Sequence, residues 1–142
     1  MQVEAVTSVA VITADGPASR ALYLDALGLP LKQLDGDYYA SGEIAGCGHF
    51  GVWPIEQAAA ACFGTRIWPE DIARPQVSVE FELASAAAVT DGASELRSKG
   101  HRILHDAKVE PWGQTVARLL SPEDALIGLS YAPSLHESEP IV

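Results

Sequence analysis

Residues 110–131 read EPWGQTVARLLSPEDALIGLSY. Gln114 to Leu120 and Leu126 to Ala132 are expected as strands, with Ser121-Pro122-Glu123-Asp124 as the turn before the second of them. Upstream, Arg102 to Val109 is a third strand and residues 86–99 a helix that ends at Lys99-Gly100. Before that helix, QVSVEFEL (76–83) alternates: Val77, Val79, Phe81 and Leu83 point one way, while Ser78, Glu80 and Glu82 point the other. The order from residue 76 to 132 is therefore strand, helix and three strands.

The first half carries the same order. Val3 to Thr13 is rich in Val, Ile and Thr and predicts a strand. Asp15-Gly-Pro is suited to start a helix, because Asp15 can cap it and Pro17 is tolerated in a first turn. Leu22, Tyr23, Ala26 and Leu27 fall on one helical face before Gly28 stops the helix. Three strands follow: one beginning at Leu29 to Lys32, then Asp37 to Ser41 and Cys47 to Trp53, with Asp35-Gly36 as a hairpin turn. Residues 55–75 differ in character, an Ala-rich helix ending at Gly64 and then a loop with two prolines. The organisation expected is one domain over 1–142. Module one covers about 1–54, the bridge about 55–75, module two about 76–132, and a loosely ordered tail 133–142. The fold class is α+β: two βαβββ modules forming a cupped mixed sheet with helices outside and a groove inside.

Bulk properties bound the function. Of 142 residues, 48% are apolar and 20% charged, which is globular composition and not disorder. The formal net charge of −10 argues against nucleic acid, which needs a basic face to replace phosphate counterions, and against anionic membrane surfaces. No apolar run approaches the ~20 residues that span a bilayer, and the N-terminus lacks the pattern of a signal peptide. Cys47 and Cys62 fit neither a metal spacing nor a disulfide framework, so two reduced thiols in a cytoplasmic protein are expected.

With the elements placed, two motifs carry a family likeness. LYLDALGLPL (22–31) resembles the FYxDxLGL signature of glyoxalase/bleomycin-resistance proteins, the vicinal oxygen chelate superfamily, and 110–131 resembles its "EPWGQ…DPDGNLIEL" ending. The resemblance implies paired βαβββ modules, a homodimer and a pocket in the cupped sheet. Some members work at a divalent metal held by His and Glu, and others sequester drugs without one. At the positions matching those ligands this sequence has Ser8, Ser78 and Gly128, which supply no imidazole and no carboxylate. His49 with Glu80 and another acid such as Glu43 remains as a noncanonical set, against the commoner reading of His49 as a hydrogen-bonded pocket residue. No GxSxG elbow is present, and no histidine has an evident Ser or Cys partner.

Aromatic residues mark the expected groove instead. Trp53, Trp68 and Trp112 offer flat surfaces for stacking, with His49, Glu80 and Gln114 to orient polar groups. The alternative for each tryptophan is core or interface packing, and for Glu80 an ion pair with Arg118 across the sheet. The expected function is metal-independent binding of an aromatic drug or natural product by a cytoplasmic homodimer of the bleomycin-resistance type. No catalytic residue, metal or cofactor is assigned. The alternative is a metal-dependent lyase, isomerase or dioxygenase of the same superfamily with noncanonical ligands. A weaker third reading is a partner protein that uses the fold only to dimerise.

Overall fold

The computed structural model describes residues 1–136; part of the tail expected at 133–142, residues 137–142, lies outside them. Eight strands form one mixed sheet in the order β2-β3-β4-β1-β5-β8-β7-β6. Module one supplies β1 (Ala5–Thr13), β2 (Lys32–Asp35), β3 (Tyr38–Ser41) and β4 (Phe50–Pro54), and module two β5 (Val77–Glu82), β6 (Ile103–Val109), β7 (Thr115–Leu120) and β8 (Leu126–Tyr131). Within each module the first strand pairs parallel with the last (β1 with β4, β5 with β8), and the modules meet along the antiparallel β1–β5 pair. The sheet is not closed into a barrel, because β2 and β6 remain at its edges.

The helices start where local chemistry dictates. Helix α1 (Gly16–Arg20) is capped by Asp15 Oδ1, which accepts from the Ala18 amide at 3.1 Å, and Pro17 sits in its first turn. It continues as a π-helical stretch, Ala21–Ala26, where the Leu27 amide reaches back to the Leu22 carbonyl. The expected apolar face is only partly covered: Tyr23 packs on Phe50, but Leu22 and Leu27 are 50% and 58% exposed. Ser85 Oγ caps α3 (Ala86–Ser98) through the Ala88 amide. Helix α2 (Ile55–Phe63) ends at Gly64, whose φ of 73° is the left-handed conformation that terminates helices.

The alternation expected in β5 is present. Leu83 packs with Val89, Ala93, Ala117 and Leu129 under α3, while Ser78, Glu80 and Glu82 face the other way. Each fully buried Leu or Val contributes about 1.5–3 kcal/mol. The α1 segment and α3 lie on the outer face of the sheet. Helix α2 does not: its Ile55, Ala58, Ala59 and Cys62 cluster with Leu126, Ile12, Trp53, Leu104 and Leu120 on the inner face, so the bridge closes one end of the cup. It touches β1, β4 and β6. Helix α2 follows β4 directly, and its contact with β6 at the far edge places it across the inner face.

Two expectations need correction here. The strand expected at Cys47 to Trp53 begins only at Phe50, and His49 lies just before it, although the His49 carbonyl still accepts from Val9 in the sheet at 2.9 Å. Trp68, expected at the groove, is 2% exposed inside the α2 cluster. Its ring meets Phe63 edge-on at 4.9 Å, and its Nε1 donates to the carbonyls of Ile72 and Ala73. A ring so enclosed has no free face for a ligand.

Candidate ligand-binding groove

Strand register builds the site from two rows across the inner face. In module two, Glu80 of β5 pairs with Gly128 of β8, Gly128 with Arg118 of β7, and Arg118 with His105 of β6. In module one the corresponding strands give Ala10, Gly51, Ala40 and Lys32. One row is charged and bulky, and the other is mostly small.

Arg118 is the centre of the charged row and is 1% exposed. Its Nη1 donates to Glu110 Oε1 at 3.0 Å and to His105 Nε2 at 3.2 Å. Its Nη2 lies 3.9 Å from Glu80 Oε2, so the cross-sheet pair is present as a loose contact. The guanidinium carbon sits 5.6 Å over the Trp53 ring. Gly128 makes this possible, since a Cβ there would come within 3.0 Å of Glu80 Cγ. Burial pushes the His105 imidazole down to about 4, with the Arg118 charge acting in the same direction against the bond to the Asp106 carbonyl. His105 is thus neutral, accepting at Nε2 and donating from Nδ1 to that carbonyl at 2.8 Å.

Gln114 joins this row to the rim. Its Nε2 donates to Glu80 Oε1 at 2.9 Å and to Ser130 Oγ at 2.7 Å, and its Oε1 accepts from Trp112 Nε1 at 2.8 Å. With both N–H groups and the carbonyl engaged, the amide has one orientation. Trp112 is nonetheless 65% exposed, an indole held at its polar end with its faces open to solvent.

The small row leaves room. A hollow of about 250 Å³ is lined by Ala40, Ser41, Gly42, Glu43, His49, Lys32 and Leu34. His49 Nε2 lies 2.7 Å from the Tyr38 hydroxyl. Burial, with the Glu80 charge adding to it, pushes the Tyr38 phenol up to about 12 and keeps it a donor. Burial holds His49 below its ordinary value, so the ring is neutral and accepts from Tyr38 at Nε2. Tyr38 also lies against Gly51, where a Cβ would come within 3.0 Å of its ring, and its ring centroid is 6.3 Å from that of Trp53.

Of the residues expected at the site, His49 and Trp53 come together around Tyr38, and Glu80, Gln114 and Trp112 form a second chain. Arg118 spans the two groups, with Trp53 on one side and Glu80 on the other. Trp68 does not join them. Sequence reasoning passed over Glu110, read His105 as a strand position without a partner where the structure gives it Arg118 and the Asp106 carbonyl, and gave Arg118 only as an ion-pair partner for Glu80. Alternation from Gln114 through Val116 puts Arg118 on the inner face, and that signal was available.

The donor set does not fit a divalent metal. Ser8 and Gly128 stand beside Glu80 in register, His49 Nε2 is taken by Tyr38, and the Arg118 cation faces both Glu80 and Glu110. Among the described residues no three His, Cys, Asp or Glu side chains gather closely enough to hold a metal.

Known structures agree with this architecture. A glyoxalase/bleomycin resistance protein/dioxygenase superfamily member from Vibrio splendidus is 12% identical, with a TM-score of 0.58 over 90% of this chain and 98% of its own. Methylmalonyl-CoA epimerase from Mycobacterium tuberculosis is 20% identical, with a TM-score of 0.57 over 96% and 93%. The fold is that of the vicinal oxygen chelate superfamily. The Streptomyces coelicolor methylmalonyl-CoA epimerase, in complex with 2-nitronate-propionyl-CoA, shares this vicinal oxygen chelate architecture at 16% identity and a TM-score of 0.55, over 93% of this chain and 99% of its own. At these identities the likeness establishes the fold alone. No protein-family model and no curated protein matches the sequence.

Proposed function

We propose that this vicinal oxygen chelate chain is a metal-independent small-molecule binder that holds a flat, aromatic drug or natural product at the inner face of the sheet. The observation that carries the reading is the Trp112 indole, exposed yet pinned through Gln114 to Glu80. An exposed aromatic face fixed in advance stacks on a planar ligand with little loss of side-chain entropy. Trp53 forms apolar floor beneath Arg118, and the hollow beside His49 receives the ligand's polar end. The Glu80 carboxylate, 16% exposed, favours a ligand that brings a hydrogen-bond donor or a positive charge.

The binder acts as a cytoplasmic homodimer of the antibiotic-resistance type. Both cysteines are free thiols, and no helix among the described residues is long and apolar enough to cross a membrane. Leu22, Leu27 and Leu34, each half exposed or more, supply apolar surface for a second copy.

The test is tryptophan fluorescence titration with planar aromatic amines and matched saturated amines. Binding of the aromatic set alone is expected, weakened about tenfold or more in Trp112→Ala and in Trp53→Ala, since stacking and apolar contact are worth about 1–3 kcal/mol. Unchanged affinity in both folded variants would remove the stacking reading.

A further inference from the structure

We propose that Glu82, the Ala132 amide and the Tyr131 ring form a second binding site, for a planar amidine or guanidine, which the chain's own His136 occupies. Glu82 lies two residues along β5 from Glu80. The inference stands whether or not the groove stacks an aromatic ligand on Trp112.

The host side of this contact is firmly built. Glu82 ends β5 with its side chain 3% exposed. Its carbonyl accepts from the Glu4 amide at 2.9 Å, and it pairs in register with Ser130 of β8. Its Oε2 accepts from the Ala132 amide at 2.6 Å. Tyr131, the last residue of β8, packs against the α3 cluster, which holds its ring in place. The occupant is loosely attached by comparison. Pro133–His136 is a single 3-10 turn with no buried residue, and its Leu135 is 54% exposed. The Leu135 amide donates to the Ala132 carbonyl at 3.0 Å. A turn that buries so little apolar surface opens at small cost.

His136 shows what the site takes. Its Nε2 donates to Glu82 Oε2 at 3.0 Å. Its ring lies against Tyr131 with centroids 4.8 Å apart and planes 32° from parallel. The guest is thus a flat nitrogen donor on an aromatic platform, aimed at a carboxylate. The imidazole engages only one of the two carboxylate oxygens. Glu82 Oε1 is buried with no hydrogen-bond partner among the described residues. A buried acceptor left unpaired carries a desolvation cost that a second donor would remove. An imidazole has one N–H to offer on that side. An amidine or guanidine offers two parallel N–H groups and engages both oxygens as a fork. Its positive charge also suits a buried carboxylate in a chain of net charge −10.

The experiment titrates benzamidine into the full chain and into His136→Gly, following the Tyr131 ring and the Ala132 amide by NMR. Benzyltrimethylammonium, which has the ring and the charge but no N–H, is the control. Wild type should bind benzamidine weakly, with release of His136. His136→Gly should bind it at least about tenfold more tightly, because the internal competitor is gone. Adding Glu82→Gln to His136→Gly should cancel that gain. The Trp112 indole N–H reports the Glu80 groove separately, and His136→Gly should leave its response unchanged. Folded His136→Gly that binds no more tightly than wild type overturns the proposal. So does equal binding of the control, or a gain that survives in folded Glu82→Gln. If Glu82→Gln is unfolded, the Ala132 amide of His136→Gly decides: an amide that benzamidine does not move overturns the proposal.

Discussion

The two modules share a strand order and a pairing scheme, yet the rows they place on the inner face are opposites. Module one sets Ala10, Gly51 and Ala40 side by side, and module two sets Glu80, Gly128 and Arg118. Both rows have a glycine at the middle strand, and in both an added Cβ would come within 3.0 Å of a neighbouring side chain: Tyr38 at Gly51, Glu80 at Gly128. Module one leaves a hollow with a neutral His49–Tyr38 pair at its edge. Module two fills its space with a buried network around one arginine. One backbone plan thus yields an opening in one half and a rigid polar floor in the other, and the difference lies in side-chain volume and charge at equivalent strands.

The strongest way to break this contrast is to remove the arginine. Arg118→Ala should lower stability by about 3–5 kcal/mol in urea unfolding, because Glu110 is left buried without its partner. Ala40→Ser, at the corresponding strand of module one, buries a hydroxyl at a position 3% exposed and should cost about 1–2 kcal/mol. Equal losses would show that the rows do not differ energetically.

The pH response should come next in size, and from module two. Burial holds the His105 imidazole of the folded protein down to about 4, below its ordinary value of 6.5. Between these values the unfolded chain takes a proton that the folded chain refuses. Its contribution is therefore present above pH 6.5 and is lost as the pH falls toward 4, by about 2 kcal/mol after allowing for partial solvent access. His105→Asn should flatten unfolding free energy over that window, whereas His49→Asn should change it less.

The two glycines sharpen the comparison further. Gly128→Ala and Gly51→Ala should each cost about 1–3 kcal/mol by crowding. Their local effects should separate: Gly51→Ala shifts the His49 NMR titration by moving Tyr38, and Gly128→Ala leaves it in place while disturbing the Trp112 indole N–H through Glu80 and Gln114. The smallest effect belongs to the exposed edge. Leu34→Ser should change monomer stability by under about 0.5 kcal/mol, while weakening self-association in sedimentation if β2 and its neighbours form the dimer contact.

The element order, the turns at Asp35-Gly36 and Ser121–Asp124, the Asp15 cap and the inward face of β5 were all legible, because caps, turn residues and period-two alternation act over a few neighbouring residues. The first helix shows where that reach ends. Its spacing promised a buried stripe, but Leu22 and Leu27 stand half exposed or more, because spacing places residues on one face without saying what covers that face. Trp68 shows the same limit in a loop, where no period indicates which way a ring points.

The sequence by itself therefore determined the strand and helix order, the side of β5 that carries Glu80, and the absence of His and Glu at Ser8, Ser78 and Gly128. Only the tertiary structure decided that α2 folds into the cup, that Trp68 is enclosed beneath it, and that Glu80, Gly128, Arg118 and His105 stand in one row. Those residues lie on four strands, and their meeting depends on register and sheet curvature. Register is a property of paired strands, so no stretch of one strand records it.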